Sequence, residues 1–416
     1  MKIRSVTYFF DPGWPLRRDR FDDASRLLEA ARNAFPPAGY PVETTRVALG
    51  SFSHLIPEPN EENCAELSRR VEAECFVRAI DYASLGPALP DSSASYDFLP
   101  TLLASAENIF ASAVIAEKPR GVSVRACQAA ARAILHVSQL GGDGFANLRL
   151  AALACVPPFS PFFPAAYHDG GPPGFAIATE AADLAVEAIS SSQNLVEARA
   201  RLVEMIEQHA GALTRTASRV ASATGVRYLG VDFSLAPFPE EARSLGTALE
   251  RLGVPAAGLA GTVTAAAILA AALDQAEVQS IGFRGLLLPP LEDAVLARRA
   301  AEGLLTVSDL MIYSSLCGTG LDTIPLPGDV RPEQLAAQLL DLGALALRHD
   351  KPLTARLMPL PGKRSGDEVA FDFEYFAPSR VMTLKSEGLT GLLAREDWIE
   401  IPALHSSRPT EKPRES

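Results

Sequence analysis

A lone cysteine in a glycine-rich loop is the sharpest chemical candidate in this 416-residue sequence. Residues 314–330 read SSLCGTGLDTIPLPGDV, so Cys317 directly precedes Gly318, Thr319 and Gly320. Glycine permits positive φ and close approach of another backbone, so this run could offer backbone N–H groups to an anion. A thiol attacks only as thiolate, which needs a nearby cation, base or helix N-terminus. We expect Cys317 to act as nucleophile or acid/base; the alternative is a small buried residue in a tight loop.

Carboxylates occur at the ends of predicted strands, where α/β folds place their chemistry. Glu292 and Asp293 follow the run LLLPPL, and Asp232 lies in the apolar run GVDFSLA, where a carboxylate must be paired or solvated. Asp322 follows the cysteine loop. We predict that these four carboxylates line a pocket and take part in catalysis. The alternative for Glu292 and Asp293 is a helix N-terminus stabilised by the helix dipole.

Two further side chains are candidates for substrate binding. Arg356 lies in the predicted strand LTARLMPL, and an inward-facing arginine there needs an aspartate or an anionic substrate group as partner. His168 and Asp169 lie in a Pro/Gly-rich loop, residues 156–174, of a length that is often functional. His168 is a candidate general base or metal ligand, against the alternative of a surface histidine. We assign Arg356, His168 and the Gly-Thr-Gly run to substrate binding.

The composition restricts the possible partners. A hydrophobic fraction of 48% and a charged fraction of 21% are typical of a globular, core-forming protein. The net charge of −12 argues against nucleic acid or an anionic membrane as partner, and no run is long and apolar enough to span a bilayer. The five cysteines are scattered without zinc spacing, as expected of reduced thiols in a cytosolic protein. We expect a small-molecule ligand; a homo-oligomer is permitted, and cofactor identity stays open.

Strand and helix patterns alternate along almost the whole chain, which predicts one large α/β domain. Pattern alone does not separate a closed barrel from an open doubly wound sheet. We place this domain at residues 1–382, a C-terminal extension at 383–404 and a disordered tail at 405–416. Helices are predicted at residues 61–85 and 95–116 among others, and strands at residues 3–10, 44–49, 149–155, 280–291, 369–376 and 398–401 among others.

Several long motifs resemble the family called domain of unknown function 711. They are VDFSLAPFP, GLAGTVTAA, SSLCGTGLDTIPLPGD, PLTARLMPLPGKRSGDEV and, less strongly, AYHDGG with FAIAT. The resemblance covers residues 3–382 and is strongest over residues 228–376. It implies the fold of pyruvate formate-lyase-like glycyl radical enzymes, a closed ten-stranded α/β barrel of two five-stranded halves with a hairpin loop inside. It also implies that Cys317 lies at the tip of that internal loop.

One departure from the radical enzymes concerns the C-terminal motif. Such enzymes need a glycine in an RVxG-like sequence, and here Met382 takes that place after Arg380 and Val381. The later Gly388 and Gly391 lack the motif. We therefore expect no glycyl radical.

Three functions remain open from the sequence. The leading one is an enzyme that acts on a small anionic metabolite inside the barrel, with Cys317 central. A second is a metal-assisted hydrolase whose hard ligands come from His168, Asp169, Asp232, Glu292 and Asp293. A third is a non-catalytic barrel that binds a metabolite or a protein.

Overall fold

The computed structural model describes residues 1–316, 318–395 and 397–404, which form a single mixed α/β domain around one large sheet. The strands are β1 Lys2–Phe9, β2 Val42–Ala48, β3 Tyr82–Ala88, β4 Ile109–Glu117, β5 Gly121–Ser123, β6 Leu150–Ala154, β7 Gly174–Glu180, β8 Arg227–Asp232, β9 Gly320–Pro327, β10 Leu353–Leu360, β11 Glu368–Val369, β12 Ser379–Arg380 and β13 Trp398–Ile399. The helices are α1 Arg18–Ala34, α2 Phe52–Leu55, α3 Glu61–Val77, α4 Leu99–Ala104, α5 Val124–Ser138, α6 Ala182–Ser190, α7 Leu195–Thr224, α8 Leu245–Arg251, α9 Thr262–Gln275, α10 Ala294–Ala301, α11 Val307–Tyr313 and α12 Pro332–His349.

The large sheet consists of groups of parallel strands that run in opposite directions. Its order is β8-β7-β1-β2-β3-β4-β6-β10-β9, with β5 and β13 attached beside β4. Strands β1, β2, β3, β4 and β6 are parallel to one another, as are β7 with β8 and β9 with β10. The junctions β1–β7 and β6–β10 are antiparallel. The carboxyl ends of β7 and β8 therefore lie at the same edge as the amino ends of β1 and β2.

Local sequence signals fix where several helices begin and end. Asn60 caps α3 by accepting from the Asn63 N–H at 2.9 Å, and Asn194 caps α7 in the same way. Helix α7 ends at Gly225, whose φ of 72° is the left-handed conformation that glycine adopts without strain. In the described part of the chain, no helix combines the length and apolar character that crossing a bilayer requires.

Residues 280–291, predicted as a strand, form only two isolated bridges, Ser280 with Val231 of β8 and Leu286 with Leu235 beyond the end of β8. The prediction of a continuous strand was wrong because Gly282 and Arg284 have positive φ, 75° and 44°. This bend turns backbone N–H groups toward a buried carboxylate. On its other side, the segment accepts a bond from the Gly318 N–H to the Leu286 carbonyl, 3.2 Å long.

Two predicted helices run too far. Helix α3 ends at Val77 and α4 at Ala104. The strands that follow them, β3 and β4, begin within the residues that were predicted as helix. Both strands are buried almost throughout, so they lack the polar alternation that distinguishes a strand from a helix face.

The predicted strand over residues 369–376 is also wrong, because only Glu368–Val369 is extended and paired. Phe371, Phe373 and Phe376 instead pack around Phe145, with ring centroids 5.2–6.1 Å apart. Strands at residues 3–10, 44–49 and 149–155 are confirmed as β1, β2 and β6, and the predicted edge strand is β13. The predicted tail, residues 405–416, lies outside the described residues.

The Pro/Gly-rich loop, residues 155–173, carries no helix or strand and packs on the sheet. Its Ala166 carbonyl accepts from Ser84 Oγ at 2.7 Å, and its His168 N–H donates to the Leu49 carbonyl at 3.0 Å. Phe163 is buried against Phe110 of β4. The loop thereby contributes aromatic side chains to the interior face of the strands.

Candidate functional site

A cavity of about 250 Å³, the central cavity, lies at the edge where β7 and β8 end and β1 and β2 begin. Charged and aromatic side chains dominate its wall. The arginines are Arg4, Arg46, Arg149 and Arg356, the carboxylates are Glu43, Glu107, Asp232 and Glu292, and the aromatics are Tyr82, Phe110, Phe145, Phe162, Phe163, Phe373 and Tyr375. Aromatic residues make up only 7% of the chain, so their concentration here indicates a wall suited to a flat apolar group.

Arg356, on β10, forms a buried ion-pair cluster with two carboxylates. Its guanidinium bonds Asp322 of β9 through Nε and Nη2, the latter at 2.9 Å, and Glu292 through Nη2 at 2.7 Å. Asp322 is fully buried and Arg356 is 5% exposed. These two carboxylates hold the pKa of Arg356 above its usual value despite burial. The structure thus brings together three of the predicted site residues.

Arg4 of β1 extends the cluster along the cavity wall. Its Nη1 lies 2.9 Å from Glu180, and its Nη2 lies 3.4 Å from Glu292. Its guanidinium also stacks over the Tyr375 ring, 4.5 Å from the centroid. Glu292 is therefore held between two guanidinium groups.

Opposing influences act on the pKa of the Glu292 carboxyl. Burial raises the pKa of its carboxyl, Arg356 and Arg4 oppose the rise, and Asp322 adds to it. Arg356 already bonds both oxygens of Asp322, so its charge is shared between two carboxylates. The pKa of the Glu292 carboxyl therefore lies above its ordinary value.

Arg46 of β2 lies in the same wall without a carboxylate of its own. Its Nε donates to Thr44 Oγ1 at 2.9 Å, and its guanidinium faces the rings of Tyr82 and Phe163 at 5.7 and 5.0 Å. No carboxylate in the described part of the chain forms a salt bridge with it. Burial and the neighbouring Arg4 lower its pKa to about 10. An anion bound in the cavity would offset the unfavourable electrostatic effects of burial and of Arg4 on the Arg46 guanidinium.

Asp232, at the end of β8, lines the cavity but is held by the bent segment. Its carboxylate accepts from Ser234 Oγ at 2.5 Å and from the N–H groups of Phe283 and Arg284 at 2.9 Å each. Burial raises the pKa of Asp232, while these bonds oppose the rise. Its main role in the geometry is to hold the segment that bridges to β8.

Asp293, predicted to be catalytic, does not line the cavity. Its carboxylate accepts from the N–H groups of Val295 and Leu296 at the start of α10, at 2.9 and 3.0 Å. It also accepts from Ser244 Oγ and from the Leu245 N–H, both at 2.6 Å. Asp293 therefore caps the start of helix α10, which is the alternative that the sequence offered for it.

Cys317 lies outside the described residues, so only its neighbours can be placed. Gly320 begins β9, and the buried Thr319 accepts from the Thr354 N–H through its carbonyl at 2.6 Å. Gly318 packs so closely against Gly285 that a Cβ atom added to Gly318 would lie 2.8 Å from the Cα of Gly285. Gly318, Thr319 and Gly320 are absent from the wall of the central cavity.

His168 lies at the opposite edge of the sheet, beyond the carboxyl ends of β1 and β2. Its side chain is buried, Nδ1 accepts from the Gly170 N–H at 3.1 Å, and Nε2 has no hydrogen-bond partner among the described residues. Burial lowers its pKa. It lines a separate cavity with Asp11 and Asp169, so the five metal ligands proposed from the sequence do not converge.

The described residues also offer no other metal-binding cluster. In residues 1–316, 318–395 and 397–404, no three His, Cys, Asp or Glu side chains are grouped closely enough to hold a metal ion. The metal-hydrolase alternative thus lacks a ligand set in the described chain.

Sequence reasoning missed Arg4, Glu43, Arg46, Arg149 and Tyr375. One signal was available for the two strand arginines, because a charged residue inside an otherwise apolar strand must face a partner or a ligand. Glu43 and Tyr375 had no such signal, since they meet only in the fold, where Tyr375 Oη donates to Glu43 at 2.7 Å.

Comparison with known proteins identifies relatives over nearly the whole chain. A family model described as "Uncharacterised ACR (DUF711)" matches residues 1–378, which include every residue lining the central cavity. A UPF0210 protein of Pyrobaculum arsenaticum is 30% identical over 402 residues, spanning 88% of this chain and 87% of the relative. A UPF0210 protein of Methanopyrus kandleri is 29% identical over 364 residues (83% and 80%), and one of Oenococcus oeni is 25% identical over 414 residues (94% and 90%).

Proposed function

This chain belongs to the DUF711 family, and we propose that it is an enzyme that acts on a small anionic metabolite held in the central cavity. The single observation that carries the proposal is Arg46, whose guanidinium lines the cavity without a carboxylate partner in the described chain. Neither Nη group has a hydrogen-bond partner among the described residues, so both can form paired bonds to a carboxylate or phosphate. Arg46 is half-buried, and a partly desolvated cation without a salt bridge to the described residues costs free energy that a bound anion would recover.

Glu292 is the group that we assign to proton transfer. It lines the cavity, lies within 3.4 Å of Arg4 and 2.7 Å of Arg356, and has a raised pKa. A carboxyl with a raised pKa can donate a proton near neutral pH and take it back afterwards. Arg4 and Arg356 would stabilise the carboxylate that forms.

The proposal involves no glycyl radical. The position at which radical enzymes need glycine is Met382, a buried residue whose N–H donates to the Pro325 carbonyl at 2.8 Å. Proton transfer by Glu292 needs no such residue. Cys317 is a second candidate for the chemistry, and the pH dependence of its alkylation tests that role.

We also propose that the sheet closes into the ten-stranded barrel implied by the family resemblance. Segment 280–286 would be the missing strand between β8 and β9. The supporting contacts are the bridges of Val231 with Ser280 and of Leu235 with Leu286, and the bond from Gly318 to Leu286. In such a barrel the central cavity would be an interior pocket reached from one end.

Binding is tested first, and catalysis is tested with the ligands that bind. Calorimetric titration of the purified chain with a panel of small carboxylates and sugar phosphates should find at least one ligand whose affinity falls about tenfold or more in Arg46→Gln. Arg199→Gln, an exposed helix arginine, is the matched control and should leave the affinity unchanged. Equal affinities in Arg46→Gln and wild type for every ligand would overturn the proposed binding site.

Turnover separates an enzyme from a binding protein. Ligands that bind are incubated with wild type and with Glu292→Gln, and the mixtures are followed by NMR. The enzyme proposal predicts product with wild type and a loss of at least about a hundredfold in rate with the variant. Tight binding without product would instead support the non-catalytic barrel.

A further inference from the structure

The central cavity contains a second arginine without a carboxylate partner, Arg149, directly before β6. Its Nη1 donates to the carbonyls of Ala106 and Ile109 at 2.6 and 3.4 Å. In the described part of the chain it forms no salt bridge; Glu72 and Glu107 act on it only over a longer distance. The Arg149 guanidinium therefore keeps N–H donors that a ligand can use, as the Arg46 guanidinium does.

Sheet register places these two arginines on the same face of the sheet, two residues apart along the strand direction. Arg46 of β2 is the direct partner of Tyr82 of β3 in the parallel ladder. Ala111 of β4 is paired with Leu150 of β6, so the preceding residues, Phe110 and Arg149, lie next to each other. Phe110 is paired with Ser84 of β3, two residues beyond Tyr82, so the pair Arg46–Tyr82 and the pair Phe110–Arg149 are offset by two residues. Three strand spacings of about 4.8 Å and an offset of about 6.6 Å along the strands separate the two arginine backbones by roughly 16 Å.

Tyr82 and Phe110, which lie between the two arginines, form an apolar platform. The rings of Tyr82 and Phe110 meet edge to face, with centroids 5.3 Å apart. Phe163 from the Pro/Gly-rich loop packs on Phe110 at 5.3 Å and also faces the Arg46 guanidinium. The flat rings and the flanking charges belong to one continuous wall.

From this arrangement we infer that the ligand of the central cavity is a dianion, with two acidic groups flanking a flat, apolar, aromatic-like body. One acidic group binds Arg46 and the other binds Arg149, while the body lies on Tyr82 and Phe110. The inference rests on the proposed function and goes further by naming the substrate class. A monoanion would leave the second guanidinium without a counter-ion, and a compact dianion would not reach it.

Four probes test this inference on the full chain by calorimetric titration: benzoate, terephthalate, a biphenyl dicarboxylate and the flexible dicarboxylate suberate. At least one aromatic dicarboxylate should bind about tenfold or more tighter than benzoate and than suberate. Arg149→Gln should abolish the advantage of the dianion over benzoate. Arg46→Gln should weaken the binding of both the aromatic dicarboxylate and benzoate, and Arg199→Gln should change neither affinity. Urea unfolding of each variant checks that the fold is kept.

The outcomes separate this inference from the function on which it rests. If Arg46→Gln weakens the dicarboxylates and Arg149→Gln does not, the dianion class is wrong and the anion site stands. Suberate binding as tightly as the aromatic dicarboxylates would overturn the flat body. No binding by any probe at millimolar concentration would overturn the inference, whereas the proposed function would still be decided by the metabolite panel.

Discussion

Arg356 and Asp322 lie on adjacent parallel strands and form a two-point ion pair in the interior of the sheet. Nη2 of Arg356 lies 2.9 Å from Oδ2 of Asp322, and Nε bonds Oδ1. The register of β9 and β10 shifts at this point, and Thr323, next to Asp322, has a φ of 46°. A β-branched residue with positive φ is strained, so the irregular backbone accompanies the placement of this carboxylate on the arginine.

Substituting Asp322 by Asn should lower the free energy of unfolding by about 3 kcal/mol, because a buried guanidinium loses one of its two counter-ions. Glu292 still binds Arg356, which keeps the cost at the low end for a broken buried pair. Asp23→Asn, which removes the exposed pair with Arg26, should cost below about 1 kcal/mol. Urea unfolding followed by circular dichroism measures both. Equal losses for the two variants would contradict the buried pairing.

The stability of the protein should depend on pH through Glu292. Its folded-state pKa is above the ordinary 4.5, so the folded chain binds a proton that the unfolded chain has released. The contribution of Glu292 is therefore greatest below pH 4.5 and is lost as pH rises through the raised pKa. As pH rises through this range, the free energy of unfolding of wild type should fall relative to that of Glu292→Gln.

Urea midpoints of wild type and Glu292→Gln between pH 4 and pH 8 measure this difference. Glu277→Gln, at an exposed position, is the control and should track wild type at every pH. A difference between wild type and Glu292→Gln that stays constant with pH would reject the raised pKa.

Two glycines with the same φ of 75° test how Asp232 holds the bent segment. A Cβ at Gly282 would lie 2.9 Å from Cγ of Asp232, whereas at Gly303 nothing lies within 4 Å. Gly303→Ala should cost about 1 kcal/mol, the backbone penalty alone. Gly282→Ala should cost clearly more, since the carboxylate must leave the N–H groups of Phe283 and Arg284. Thermal unfolding compares the two, and similar losses would show that the carboxylate is not needed there.

Alkylation should single out Cys317 from the other thiols. Burial raises the pKa of Cys64 and Cys155 to about 11, that of Cys75 to about 12, and that of Cys127 as well. Against an ordinary value of 9.0, these four thiols have about a hundredfold or more less thiolate at neutral pH. Iodoacetamide followed by peptide mass spectrometry should find them nearly unmodified in the folded chain.

The pH dependence of labelling at Cys317 then decides its role. Fast labelling with a low apparent pKa would support an activated thiolate. Labelling only after denaturation would support the alternative of a buried structural thiol. Labelling of the other four cysteines in the native protein at the rate of a free thiol would contradict the burial described for them.

The sequence was sufficient where its signal is local. The α/β class, the family and the strands β1, β2, β6 and β10 follow from short apolar runs, turn residues and long motifs. It failed for β3 and β4, because a strand buried on both faces has no polar alternation. It also failed for residues 280–291, because the positive φ at Arg284 depends on the carboxylate of Asp232, which is distant in sequence.

The candidate site shows the same division. The sequence by itself determined that Arg356 on its strand would need an anionic partner and that several carboxylates follow strands. Only the tertiary structure decided that Asp322 and Glu292 meet Arg356, that Asp293 caps a helix, and that His168 lies at the far edge. It also decided that Arg46 forms no salt bridge within the described part of the chain. The reason is physical: electrostatic pairing depends on distances of a few ångströms between strands far apart in sequence, and these distances are set by sheet order and register.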